Sequence, residues 1–317
     1  MKKITLFDTS ICSENIGDFI IMEAVKTEVS MLFTDDMIFQ SLTHDKISKS
    51  TYQLNKISDF TFIGGTNLLS SNMNSYNQWK INLIDGFFLK NIILLGVGWW
   101  QYQDNPNLYT QLLLKKVLHS EILHSVRDSY TEKMLRKMGF KNVINTGCPT
   151  MWTLTKKHCQ TIPIEKSDNV VFTLTDYNRD IVRDQKLINI LSKKYNKLYF
   201  WPQGSEDLQY FNSFSGIHSI TILGGNLNAY NTLLESKKSS LDYVGTRLHA
   251  GIRALQKQRR TIIIGIDNRS YEKSRDFNLK VFPREKIDEL DKIIDVNFST
   301  NIIINEDNIN VWKGQFI

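Results

Sequence analysis

Two apolar runs that stop on glycine, Phe60-Thr-Phe-Ile-Gly-Gly65 and Asn91-Ile-Ile-Leu-Leu-Gly-Val-Gly98, restrict the fold more than any other feature of this chain. The second is so uniformly apolar that a strand made from it must be covered on both faces. That is the position of a central strand in a parallel sheet. Glycines at the carboxyl end of such a strand allow another backbone or a ligand to come close. Strands of this kind alternate with helical periodicity along the whole chain, which predicts a doubly wound α/β architecture.

The alternation starts at once. Ile4–Phe7 reads as a strand, and a helix follows to Leu32 with Ile21, Val25, Val29 and Leu32 at helical spacing. At its head, Asn15-Ile-Gly-Asp18 has two readings: a turn in which Asp18 caps the helix, or one whose free amides and Asn15 face a ligand. Further strands are expected at Met37–Gln40, His124–Arg127 and Asn142–Asn145, with a helix over Ser129–Met138 capped by Asp128. Arg127 and Asp128 read as a packing and capping pair. A polar run with Pro163, Lys156–Asp168, reads as a linker. Beyond it, strands at Asn169–Thr173, Lys197–Phe200, Ser219–Leu223, Asp242–Val244 and Thr261–Gly265 alternate with helices near Arg179–Lys194, Glu206–Phe211, Asn228–Ser236, Leu248–Lys257 and Tyr271–Phe277. A length of 317 residues suits two domains. The expected division is residues 1–160, residues 161–300, and a tail over 301–317 that packs back on the first domain. The architecture expected is two Rossmann-like domains facing across a cleft.

Composition excludes several classes. The 41% hydrophobic and 23% charged fractions are those of an ordinary globular protein. No apolar run reaches the length of about 18 residues that would suggest a transmembrane helix. Asp8 comes too early for a signal peptide, and Cys12, Cys148 and Cys159 show neither metal nor disulfide spacing. A cytoplasmic protein with free thiols and no metal is expected. The formal charge of +6 is spread along the chain, and its densest cluster, Lys257-Gln-Arg-Arg260, is short. This fits an anionic small substrate better than nucleic acid. No GxSxG, HExxH or Walker motif occurs. Gly96-Val-Gly98 lacks the third glycine of a dinucleotide fingerprint, which argues against NAD.

The chemistry concentrates in Leu241-Asp-Tyr-Val-Gly-Thr-Arg-Leu-His-Ala-Gly-Ile-Arg-Ala-Leu255, a strand that stops at Gly245 and turns into a helix. Arg247 and His249 stand at the helix head, where backbone amides already favour an anion. Arginine binds both oxygens of a carboxylate or phosphate with its planar fork, and histidine exchanges protons near neutral pH. Gln203 and Gly204, after Trp201-Pro202, are expected on the same edge, with Arg269 and Lys273 adding positive charge after Asp267. In the first half, Asn15, Asp18, Gly64, Gly65, Asn67, Gly98, Trp99 and Trp100 are candidates for the other side of the cleft. Loops 70–79 and 99–106 hold Tyr76, Trp79, Trp99, Trp100 and Tyr102, which could stack on sugar rings or pack in the core.

Asn15-Ile-Gly-Asp18, Gly64-Gly65 with Asn67, Gly96-Val-Gly98, Val126-Arg-Asp-Ser129, Gly147-Cys-Pro149, Trp201-Pro-Gln203, Gly245-Thr-Arg-Leu-His-Ala250 and Asp267-Asn-Arg269 occur in this order. The set resembles the polysaccharide pyruvyl transferase family over about residues 4–278. Its most specific piece is Arg-Leu-His-Ala; Thr66 departs from the longer glycine runs common in that family. The resemblance implies a fold similar to GT-B glycosyltransferases and phosphoenolpyruvate as co-substrate, with no other cofactor. It further implies a saccharide or lipid-linked glycan acceptor that receives a cyclic pyruvate ketal, with Arg247 and His249 in the donor site. A membrane-bound acceptor would bring peripheral membrane contact. Two competing readings remain: a nucleotide-sugar glycosyltransferase in which Glu206 or Asp207 holds the ribose, and a non-catalytic glycan-binding relative.

Overall fold

The structure, a computed structural model, describes residues 1–237 and 240–317. In chain order the elements begin with β1 (Lys3–Asp8), α1 (Ile16–Leu32), β2 (Met37–Leu42), α2 (Lys49–Ile57), β3 (Phe60–Gly64) and α3 (Asp85–Phe88). Next come β4 (Ile92–Leu95), α4 (Leu108–Val117), β5 (His124–Val126), α5 (Ser129–Lys137), β6 (Val143–Asn145) and α6 (Lys156–Cys159). The second half holds β7 (Asn169–Thr173), α7 (Ile181–Lys194), β8 (Lys197–Phe200), α8 (Asp207–Phe211), β9 (Thr221–Ile222) and α9 (Leu227–Glu235). It closes with β10 (Leu241–Gly245), α10 (Leu248–Gln256), β11 (Thr261–Gly265), α11 (Asn268–Phe277), β12 (Val281–Pro283), α12 (Leu290–Asp295) and α13 (Glu306–Gly314). The short strand β12 and the helices α3 and α12 were not legible as periodic stretches. Asp267 caps α11 by accepting from Arg269 N at 3.1 Å, so this helix starts three residues earlier than its periodicity indicates.

Contacts divide the chain into two units. One comprises Met1–Ser13, Ile21–Trp152 and Ile304–Ile317; the other comprises Glu14–Ile20 and Thr153–Ile303. The expected boundaries need three corrections. Residues 14–20 belong to the second unit because Ile16 N donates to Gln203 O at 2.9 Å and Ser205 N to Glu14 O at 3.1 Å. Residues 153–160 also join it, with His158 Nε2 hydrogen-bonded to Leu255 O at 2.8 Å, so the expected linker is partly helix α6. Residues 301–303 follow, Ile303 N donating to Phe277 O at 3.0 Å.

The first unit has a parallel sheet in the order β2-β1-β3-β4, and a parallel bridge from Val97 to Val126 continues it into the β5–β6 pair. Side chains alternate between its faces: Ile63, Ile92 and Leu94 enter one core, while Phe62, Ile93 and Leu95 enter the other. Burial on both faces explains why this strand reads as continuously apolar. In the second core Trp312 of α13 and Phe316 just after it pack against Phe62, at ring distances of 6.1 and 5.2 Å.

In the second unit the order is β12-β11-β10-β7-β8-β9, all parallel. Counted within the unit this is the dinucleotide-fold order, and the winding reverses between β7 and β10. Loops leaving the carboxyl ends of those two strands diverge to opposite faces, which opens the crevice where ligands of such folds bind. Gly245 ends β10 at that point.

Candidate active site

The second unit builds its carboxyl edge around Asp207, whose carboxylate is fully buried at the start of α8. Oδ2 accepts from Gln203 N at 3.0 Å, Gly204 N at 2.8 Å and Arg247 Nε at 3.0 Å. Oδ1 accepts from Asp176 N at 3.0 Å and from Arg247 Nη2. Arg247 Nη2 also donates to Asp176 Oδ1 at 3.0 Å, and Nε to Leu174 O at 3.2 Å. One guanidinium thereby ties together the loops after β7, β8 and β10. Burial by itself would lower the Arg247 pKa, but the Asp207 carboxylate outweighs it, with Tyr177 and Asp176 adding to the rise. Arg247 stays charged.

This arrangement revises what Arg247 can do. Its Nε and Nη2 are committed to carboxylates, so it is no open fork for an incoming anion. None of its bonds to Asp207, Asp176 and Leu174 uses Nη1. The surrounding charge is also balanced: Arg247, Arg269 and Lys273 stand with Asp176, Asp207 and Asp267. What remains suited to an anion is the head of α10. Arg247 occupies its N-cap position with no side-chain cap, whereas α4, α5, α7, α9 and α11 are each capped by Asn or Asp. No side-chain cap from Arg247 competes with an anion at the head of α10, where the helix dipole favours negative charge. His249 lies buried in that first turn.

Asn15 joins the same edge. Its Oδ1 accepts from Gly17 N at 3.1 Å and from Gln203 Nε2 at 2.7 Å, so Asn15 caps α1. Asp18 is buried in the first turn of that helix. Gln203 is 3% exposed, and its Oε1 has no hydrogen-bond partner among the described residues. Arg269 is held by Asp267, Nε to Oδ2 at 2.9 Å, and by the Tyr177 hydroxyl. Burial would lower its pKa; the Asp267 charge and then Tyr177 raise it above the ordinary value. The Tyr177 ring carries Arg247 at 5.0 Å and Arg269 at 5.6 Å, linking the two cations. Lys273 is buried one turn further along α11.

Gly245 is explained by packing. A Cβ there would lie 2.5 Å from Thr173 Oγ1 and 2.7 Å from Thr173 N, so the glycine serves the β7–β10 contact. Trp201 is likewise a packing residue, stacked on Tyr230 at 3.9 Å with planes 3° apart. Sequence reading missed Asp176, Tyr177 and the role of Asp207. Their signal was position: a polar turn after the strand at which the winding reverses, and an acid opening a short helix.

The carboxyl edge of the first unit is organised in a parallel way. Arg127, 2% exposed, donates from Nε to Asp128 Oδ2 at 2.9 Å and from Nη2 to Trp99 O at 3.2 Å and to Asn67 Oδ1. Its guanidinium fills the space a side chain on Gly98 would need. Gly64 and Gly65 admit α1: a Cβ at Gly64 would fall 2.7 Å from Val25 Cγ1, and one at Gly65, where φ is +55°, 2.0 Å from Ile21 Cγ2. Trp99 and Trp79 are fully buried and offer no face to a sugar. Trp100 does remain available in part. It packs against the 42% exposed Tyr76 at 4.1 Å.

Among the described residues no group of three or more His, Cys, Asp or Glu is placed to hold a metal ion, and no helix is long and apolar enough to cross a membrane. A family model described as polysaccharide pyruvyl transferase matches residues 15–268. No curated protein matches the chain. Among solved structures, the Methanocaldococcus jannaschii UDP-GlcNAc 2-epimerase in complex with UDP-GlcNAc and UDP aligns with a TM-score of 0.57 at 10% identity, covering 99% of this chain and 98% of that one. S. aureus MnaA with UDP aligns with a TM-score of 0.54 at 14% identity, covering 95% and 92%. These similarities establish the fold: mixed α/β with parallel sheets, two Rossmann-like units of GT-B type.

Proposed function

This chain belongs to the polysaccharide pyruvyl transferase family, and from that premise we propose that it transfers the pyruvyl group of phosphoenolpyruvate to two hydroxyls of a cell-envelope glycan. The product is a cyclic ketal, and phosphate is released. The observation that carries the reading is the head of α10, where Arg247 and His249 stand at a helix start without a side-chain cap, at the winding reversal of a parallel sheet. A donor that bears a carboxylate and a phosphate needs such amides.

In the reaction the donor methylene carbon gains a proton while an acceptor hydroxyl attacks the adjacent carbon and loses its own. Addition of the second hydroxyl then expels phosphate. His249 is assigned the proton transfers. Arg247 holds the loops in register and presents Nη1 to the donor; Gln203 Oε1 can accept from a hydroxyl. Arg269 and Lys273 contribute charge from α11. Trp100 with Tyr76 offers an aromatic face to the acceptor sugar. The donor metabolite is cytoplasmic, which is where the reaction is assigned.

The experiment supplies phosphoenolpyruvate with candidate saccharides or lipid-linked glycans and follows phosphate together with acceptor mass. Expected is a gain of one pyruvic acid less one water for each phosphate released. Phosphate release without that gain would overturn the reading. The nucleotide-sugar alternative is disfavoured by its own candidate acids. Asp207 is buried against Arg247, and Glu206 pairs with Arg179.

A further inference from the structure

The amino-terminal edge of the first unit carries an apolar strip built from two helices. Ile84, Phe87 and Phe88, on and beside α3, are 68%, 63% and 55% exposed. The strip continues onto α4. Lys116 Nζ lies 3.7 Å over the Phe87 ring, and Leu112, one turn before Lys116 and on the same helix face, is 54% exposed. A contiguous exposed patch of this kind marks a surface that something covers.

The charge beside it is mainly positive. Lys115 and Lys116 are exposed on α4. Next to Phe88, which stacks on Tyr52 at 5.0 Å, a groove of about 520 Å³ is lined by the exposed Lys56 and Lys90. Asp59 is the one carboxylate among its described lining residues, and it already accepts from Lys3 N at 2.7 Å. Asp85, beneath the strip, is buried and accepts from the Tyr52 hydroxyl at 2.5 Å.

We infer that this face docks the protein on an anionic lipid bilayer, with Phe87, Phe88, Ile84 and Leu112 entering the headgroup boundary and the lysines contacting lipid phosphates. Adjacent aromatic and aliphatic side chains rimmed by lysine are the chemistry of an interfacial anchor. A second copy of the chain is a poorer occupant: a two-fold contact would set these lysines against their own counterparts, and protein interfaces are depleted in lysine. The inference does not depend on the proposed reaction. The strip lies at the amino ends of β3 and β4, while Gly64, Gly98 and Trp100 follow their carboxyl ends.

The test is co-sedimentation of the full chain with vesicles of phosphatidylcholine and phosphatidylglycerol in equal parts, and with phosphatidylcholine alone. Binding to the mixed vesicles that falls with added salt is expected. The Phe87→Ser/Phe88→Ser variant and the Lys90→Glu/Lys116→Glu variant should each bind at least about tenfold more weakly. Both should keep the circular dichroism spectrum and, with a soluble acceptor, the turnover of the parent. Absence of binding by the parent, or equal binding by the variants, overturns the proposal. So does a concentration-dependent dimer in light scattering that the Phe87→Ser/Phe88→Ser variant abolishes.

Discussion

Arg247 Nη2 fills the space that a side chain at position 204 would require: a Cβ built on Gly204 falls 2.1 Å from that nitrogen and 2.7 Å from Asp176 Oδ2. The same device recurs in the first unit, where a Cβ on Gly98 would lie 1.9 Å from Arg127 Nε. Each sheet edge is thus locked by a buried arginine fitted against a glycine. Gly204→Ala should displace a guanidinium already fixed by two carboxylates, costing about 1–3 kcal/mol of stability. Phosphate release should fall at least about tenfold, since an error near 1 Å at a reacting group has that scale or more. Normal turnover at an unchanged melting temperature would refute this account of the edge.

Gly98→Ala probes the equivalent lock in the first unit. It should cost a similar ~1–3 kcal/mol, because Arg127 loses its place between Asn67, Trp99 and Asp128. Stabilisation of the protein by added phosphoenolpyruvate should persist. If thermal unfolding shows that this ligand effect disappears with Gly98→Ala, the donor is not held by the second unit alone.

His249→Gln removes the proposed proton donor while retaining a polar side chain of similar reach. The expected loss is about 10²–10⁴-fold in turnover with little change in the affinity for phosphoenolpyruvate. Steady-state kinetics with calorimetric titration of the donor separates the two. Full turnover would remove His249 from the mechanism.

Trp100→Ala should raise the KM for the saccharide acceptor and leave that for phosphoenolpyruvate unchanged. Ring stacking has a value near 0.5–1.5 kcal/mol beyond area, so a change of roughly 3- to 10-fold is expected. An equal effect on both substrates would mean that the substitution acts through folding of the 99–106 loop.

Stability should depend on His124. Its Nδ1 accepts from Leu94 N at 3.2 Å and its Nε2 bonds His119 O at 2.9 Å, inside the β4–β5 contact. Burial pushes its pKa down from 6.5 to about 4. The folded state thus favours the neutral ring, and the unfolded chain binds a proton first as pH falls. The stabilisation is complete above about 6.5 and is lost on descending to about 4, with a slope approaching 1.4 kcal/mol per pH unit. His124→Gln should be less stable at neutral pH and lack this component. Denaturant midpoints measured through the window, parent against variant, check it; parallel curves would reject the assignment.

The strands and most helices were legible because their signals are local. Ile92–Leu95 is apolar throughout since both sides of it are buried, and Asp128 announces α5 by accepting from the amide three residues on. Arg247 and His249 were legible as a pair at a helix head. Their partners were not. Asp176 and Asp207 are separated from Arg247 by 71 and 40 positions, and nothing local marks a carboxylate as the mate of a particular cation. Gly64, Gly65, Gly98 and Gly245 read as places where a backbone or a ligand comes close, and at each one another part of the protein does come close.

By itself the sequence determined the alternation of strand and helix, the two-unit α/β class and the family, because period, capping and motif order are written in consecutive residues. Only the tertiary structure decided that Arg247 is bound by carboxylates, that Asn15–Ile20 folds with the second unit, and that Trp99 is core while Phe87 and Phe88 are surface. Those outcomes depend on which distant groups meet once both sheets have formed. Charge neutralisation and burial act between neighbours in space, whatever their separation along the chain.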